Sequence, residues 1–195
     1  MKNGGQLPLD RCPHCSIAKP SLHHKSNFDT KSFDGRHHRL WFNYACASCG
    51  GVVLTVAPGV QNSDITEMWP TPQTVADVVP PRAREYLLQA IDSLHAPVGA
   101  VMLTASSVDA MLKDKGYKEG SLNGRIDQAA NDHLITAEMA AWAHEIRLDA
   151  NDQRHADEDA TLPSDADAQK VIDFANALAQ FLYVLPARVA RGRKP

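Results

Sequence analysis

Two Cys-x-x-Cys pairs stand in the first fifty residues, Cys12-Pro-His-Cys15 and Cys46-Ala-Ser-Cys49, thirty residues apart. Each pair can turn into a tight knuckle that points backbone N–H groups at sulfur and offers two corners of a tetrahedron. The doubled spacing predicts a zinc site built from Cys12, Cys15, Cys46 and Cys49. Two redox dithiols or two disulfides would use the same residues, but nothing around CPHC has the βαβ pattern of a redox scaffold. The chain has four cysteines in all. Four thiolates leave no coordination position open, so the expected Zn2+ is structural and not catalytic.

A second group capable of chemistry lies in WAHEIRLDANDQRH, residues 142–155. At 100° per residue, His144, Arg147, Asn151 and His155 share one arc of a helix. An Arg can clamp a phosphate with two donors, and a His can carry a proton near neutral pH. The same side chains could equally tie the helix to its neighbours through hydrogen bonds. Asp109 is a candidate ion-pair partner for Arg147.

These groups need elements to position them. RLWFNY (39–44) and GVVLTV (51–56) read as strands leading into and out of the second knuckle, which makes residues 1–58 a zinc ribbon. Residues 10–50 carry Arg11, Lys19, Lys25, Lys31, Arg36 and Arg39 against Asp10, Asp29 and Asp34. With Phe28, Phe33, Trp41 and Tyr44 interleaved, this basic module suits single-stranded nucleic acid. Alternatively, Trp41 and Tyr44 form the small core of the ribbon.

Residues 59–81 are rich in proline and turn formers and read as a linker, with Trp69 as an anchor. Apolar residues then recur at helical spacing over 82–95, 97–115, 121–133, 136–155 and 165–184. The expected fold is therefore mainly α: an up-and-down helical bundle over 82–195 behind a small N-terminal β zinc ribbon.

A hydrophobic fraction of 44% and a charged fraction of 22% fit a globular chain. The net charge of −3 gives no global basic field. MKNGGQLPLDRCPHC lacks the apolar stretch of a secretory signal, and no run of 18 apolar residues occurs. These features predict a cytoplasmic protein with no membrane span.

The run His144–Arg147, Asn151, His155 is similar to the "His-x-Ile-Arg-x-x-Gly-Asn-x-x-Ala-His" signature of the bacterial domain-of-unknown-function 4145 family. Pro81, Arg84, Glu85 and Tyr86, the GAVML helix, LNGRI and the closing FLYVLP follow the same order. The likeness covers roughly residues 80–190. Ala150 and Arg154 replace the Gly and Ala of that signature, Leu148 follows Arg147, and seven residues separate Arg147 from His155.

The family resembles a branch of the HEPN helical bundles, which makes the expected bundle HEPN-like. That resemblance implies a homodimer in a prokaryotic defence or stress system that binds RNA, or cleaves it as a metal-independent endoribonuclease. Arg147 would hold the phosphate, His155 would move the proton and Asn151 would assist. The other reading is a non-catalytic module that dimerises and recruits a protein partner through the ribbon.

Overall fold

In a computed structural model of the chain, residues 1–60, 63–155 and 161–193 are described, except the side chains of Asp152, Arg154 and His155. The chain divides into two units, Met1–Gln73 and Thr74–Pro195.

The first unit is built on an antiparallel sheet of four strands in the order β1-β2-β3-β4. They are β1 (Leu22–Lys31), β2 (His38–Cys46), β3 (Val52–Pro58) and β4 (Glu67–Trp69). Trp41 pairs with Phe28 on one side and Val56 on the other, and Leu54 pairs with Trp69. Because side chains alternate across a strand, Tyr44 and Val53 face opposite to Trp41. Tyr44, Val53, Leu22 and Leu7 are all 1% exposed or less and pack with Cys12 and Cys46 as a core. Burying each such side chain is worth roughly 1.5–3 kcal/mol. The Tyr44 hydroxyl donates to Asn3 Oδ1 (3.1 Å) and accepts from Gly4 N–H (3.0 Å). The N-terminal segment is thereby stitched beneath the sheet.

This sheet corrects the expected fold class. Helix accounts for 46% of the chain and strand for 19%, so the protein is a mixed α/β fold and not a mainly α HEPN-like bundle with a small ribbon. The larger sheet was hidden in β1, whose residues after Leu22 are exposed apart from half-buried His24. An edge strand wetted on both faces lacks the apolar alternation by which strands are recognised. The three-residue β4 lies in the proline-rich stretch and is too short for any period.

The second unit is helical: α1 (Pro81–Asp92), α2 (Pro97–Asp114), α3 (Leu122–Asn131), α4 (Ala137–His155), α5 (Asp165–Ala179) and α6 (Leu185–Gly192). α2 is central and packs against α1, α3, α4 and α5. Met111 and Leu112 of α2 meet Leu87, Ile126, Ile172, Phe174 and Leu178 in the core.

The helix starts carry sequence signals. Prolines open α1 and α2, where a missing N–H costs nothing. The Ser121 side chain caps α3, and Ser164 and Asp167 form a reciprocal capping box on α5. Gly116, at φ 106°, ends the turn after α2. Between α5 and α6 the helix widens into a π-helical turn, Gln180–Val184. Pro186 lacks an N–H and crowds the carbonyl four residues back, and the wider turn absorbs both defects while the chain stays helical. No described helix is long and apolar enough to cross a membrane.

Candidate functional site

The first knuckle starts at Cys12, whose carbonyl accepts from Ser16 N–H (2.9 Å) and whose N–H donates to Ile17 O (3.1 Å). The second repeats the pattern: Gly50 N–H to Cys46 O at 2.9 Å, and Cys46 N–H to Gly51 O at 2.9 Å. Gly51 N–H also points at Cys49 Sγ (3.4 Å). Ser16 and Gly50 take the left-handed conformation that turns the chain back, at φ 55° and 72°.

The two knuckles bring Cys12, Cys15, Cys46 and Cys49 together, with all four sulfurs within 4.8 Å of one another. Cys12 and Cys49 Sγ are 3.9 Å apart, far beyond a disulfide bond. Sulfurs at the corners of a tetrahedron around zinc, each about 2.3 Å from the ion, lie about 3.8 Å apart. The donor set and its spacing therefore fit a metal ion. Cys12 and Cys46 are buried, Cys15 half-buried and Cys49 exposed.

Burial raises the Cys12 thiol and pushes Cys15 up to about 12. At Cys46 burial also works upward, but the N–H groups of Cys49 and Ser48 and the thiols of Cys12 and Cys49 outweigh it, and the value falls to about 7.

His14 is exposed and forms a hydrogen bond from Nε2 to Val52 O (2.9 Å), so its ring links the first knuckle to β3. It lies directly over Gly51, where an added Cβ would sit 2.5 Å from the ring. The paired glycines thus serve different needs: Gly50 supplies the φ angle and Gly51 the room.

The sheet face opposite the core carries a row of aromatic rings. Phe28 and Trp41 have centroids 6.1 Å apart and planes within 9°. Trp41 and Trp69 are 5.8 Å apart with planes within 26°. The two indoles meet over β3, and Val56 on that face is 1% exposed. Trp41 Nε1 donates to Thr30 Oγ1 (2.8 Å) and fixes the central ring. Phe28 and Trp69 are 50% and 41% exposed, so the row is open to solvent.

Of the four aromatics singled out in the sequence, Phe28 and Trp41 join this row. Tyr44 belongs to the core, and Phe33 stands fully exposed in the β1–β2 turn. Trp69 was missed as a surface partner because only the sheet register brings it alongside Trp41. Arg39 is exposed on this face and Glu67 supplies a carboxylate there. On β1, Lys25 at a break in the strand register and Lys31 on the face opposite to Phe28 are both exposed. Residues 1–73 hold seven Lys and Arg against five Asp and Glu, while the whole chain is net negative.

On α4, His144 Nε2 lies 3.0 Å from Asp127 Oδ1 of α3. Arg147 is half-buried, with Nε lacking a hydrogen-bond partner among the described residues, and Asn151 is exposed. The His155 side chain lies outside the described residues. The expected Asp109–Arg147 pair is not formed: Asp109 binds Arg125 Nη1 (2.7 Å) and Lys113 instead.

A family model described as Domain of unknown function (DUF4145) matches residues 88–194. The chain belongs to that family. No curated protein and no solved structure matches it. The DUF4145 segment contains the α4 strip and the Asp109–Arg125 pair. The four cysteines and the aromatic row lie before it.

Proposed function

We propose that this DUF4145 protein binds single-stranded RNA on the open face of a sheet held by structural zinc. The observation that carries the reading is the near-parallel row Phe28–Trp41–Trp69, exposed to solvent on a unit with surplus positive charge. Unpaired bases stack on such rings whatever their sequence, and lysine and arginine follow the backbone phosphates. An apolar protein core would instead bury these rings.

Zinc is the ion favoured by four thiolates in a closed tetrahedral set; it would hold the knuckles without taking part in chemistry. Cys12, Cys15, Cys46 and Cys49 are its ligands. The test is fluorescence-polarisation titration of the full chain with a short single-stranded RNA and its duplex. Tight binding to the single strand that is weakened by Trp41→Ala supports the reading. Equal binding to both forms, or no loss in the variant, would sink it.

Metal-independent cleavage at Arg147, Asn151 and His155 is a second reading, favoured by the buried Arg147 Nε that has no described acceptor. Loss of chelator-resistant RNA cleavage in Arg147→Ala and His155→Ala is its test; cleavage surviving both changes overturns it. Homodimer formation is supported by Phe181, Leu185 and Val189, which are 41%, 48% and 56% exposed at four-residue intervals. Light scattering decides between one copy and two. A dimer without RNA binding would favour recruitment of a protein partner.

A further inference from the structure

We propose that the cleft bounded by α1, α2 and α3 is a binding site for a small phosphate monoester of mononucleotide size. It lies wholly within the helical unit and is independent of the RNA reading of the sheet.

The cleft encloses 730 Å³, within the range of sites that take small organic ligands. One wall is the first turn of α1. Pro81 has no N–H to offer and Ala83 is fully buried, but the N–H of Arg82 has no acceptor inside the helix by the geometry of a helix start. No side chain caps it and no acidic residue stands in that turn. This end of α1 therefore presents a free donor and the positive end of the helix dipole.

The opposite wall supplies an independent observation. Arg125 lines the cleft and is only 8% exposed. Nη1 donates to Asp109 Oδ1 (2.7 Å), and Nη2 to Lys118 O (3.2 Å) and Gly120 O. Its Nε–H is buried with no partner among the described residues. An unsatisfied buried donor on a charged group is costly, and native structures rarely keep one without an acceptor arriving from elsewhere.

Charge around the cleft favours an anion. Arg82 and Lys113 add two cations to its lining. Two carboxylates also line it, but both are engaged. The Asp109 oxygens hold Arg125 and Lys113, and Asp114 Oδ2 accepts from the Tyr183 hydroxyl (3.0 Å). Because Arg125 and Lys113 share Asp109, the donors left for a ligand are the Arg82 side chain and N–H, Arg125 Nε and the remaining protons of Lys113, spread over two walls of the cleft. The three terminal oxygens of a phosphate monoester reach donors on both walls more readily than the two of a carboxylate. Tyr86, Leu122 and Pro80 give the remainder of the lining an apolar surface suited to a ring.

The test is isothermal titration of the full chain with AMP, GMP, CMP and UMP, and with adenosine and inorganic phosphate as controls. At least one nucleotide is expected to bind more tightly than either control. Arg82→Ala and Lys113→Ala should each weaken it about tenfold, the scale of one charge-assisted hydrogen bond. Both residues sit at the surface, so the melting midpoint should hold. Arg125→Lys keeps the charge and removes the Nε donor, and should also weaken binding.

Three results would overturn the proposal. One is no binding by any of the four nucleotides at millimolar concentration. Another is inorganic phosphate binding as tightly as the nucleotides. The third is loss of nucleotide binding in Trp41→Ala with retention in Arg82→Ala, which would place the ligand on the sheet and leave the RNA reading standing.

Discussion

Ser16 and Gly50 occupy equivalent places in the two cysteine knuckles: each donates its N–H to the carbonyl of the leading cysteine at 2.9 Å, and each has positive φ. Only one of them is glycine. A residue with a Cβ pays about 1–2 kcal/mol for that conformation, so Ser16 marks strain that Gly50 avoids. Gly50→Ala is expected to destabilise the protein by about 1 kcal/mol. There is open space around Gly50, so backbone strain and not collision sets the cost. Ser16→Gly should be neutral or stabilising by up to about 1 kcal/mol, since glycine's added entropy cost offsets part of the gain. Thermal unfolding of both variants checks the pair, and a marked loss in Ser16→Gly would contradict it.

The metal assignment makes its own prediction. Elemental analysis of the purified protein should find zinc at one ion per chain, and cobalt should replace it with the absorption of a tetrahedral thiolate site. Cys12→Ser should abolish stoichiometric binding and unfold the sheet unit, because metal binding energy is folding energy in such small modules. A visible iron–sulfur spectrum would replace zinc with a cluster. Absence of any bound metal after aerobic and anaerobic preparation would end the assignment.

Binding to RNA should depend on salt through the charges on the ring-bearing face. Arg39→Ala is expected to flatten the plot of log affinity against log salt by about 0.7, one phosphate contact on a single strand. Glu67→Gln removes the carboxylate on that face and should raise affinity. If affinity falls in Glu67→Gln, the bound strand does not cross β3 and β4.

The helices were largely legible in the sequence because apolar residues repeat at 3.6-residue spacing and the caps are local, as where Thr136 Oγ1 accepts from Met139 N–H (3.2 Å). The clustering of the cysteines followed from spacing alone. β1 was not legible, since nothing in HHKSNFDTK alternates. Trp69 was placed in the linker because its partner on the surface, Trp41, is 28 residues earlier and meets it only through the sheet register. That Asp109 pairs with Arg125 and not with Arg147 was not legible for a related reason. Helical periodicity tells which way a side chain points, but not which neighbouring helix lies opposite. The π-helical turn before Pro186 was invisible because a change of pitch leaves no mark on composition.

The Asp109–Arg125 pair predicts a large stability effect. Arg125 is nearly buried and Asp109 only partly exposed, so Asp109→Ala leaves a guanidinium without its counter-charge. The expected loss is about 2–4 kcal/mol. Chemical denaturation of Asp109→Ala checks this. A loss no larger than that of Lys113→Ala would show that the pair behaves as a surface contact.

Acid should act through the capping box of α5. The Ser164 hydroxyl and N–H hold the Asp167 carboxylate below its ordinary value. A lowered folded-state pKa contributes stability above the unfolded value of about 3.9, and that stability is lost as pH falls through the folded value. The melting difference between the native chain and Asp167→Ala should therefore be constant near neutrality and shrink below about pH 4. A gap that widens in acid would reverse the sign of this linkage.

The row of rings has a consequence for how the protein can be dissected. Its members come from β1, β2 and β4, forty-one residues apart from first to last, and nothing but strand pairing sets them side by side. No peptide too short to form the sheet can reproduce the platform, unlike a basic tail, whose grip survives in a fragment. A chain whose sheet has opened presents scattered aromatics instead of a surface, so recognition and folding of this unit should be lost in a single step.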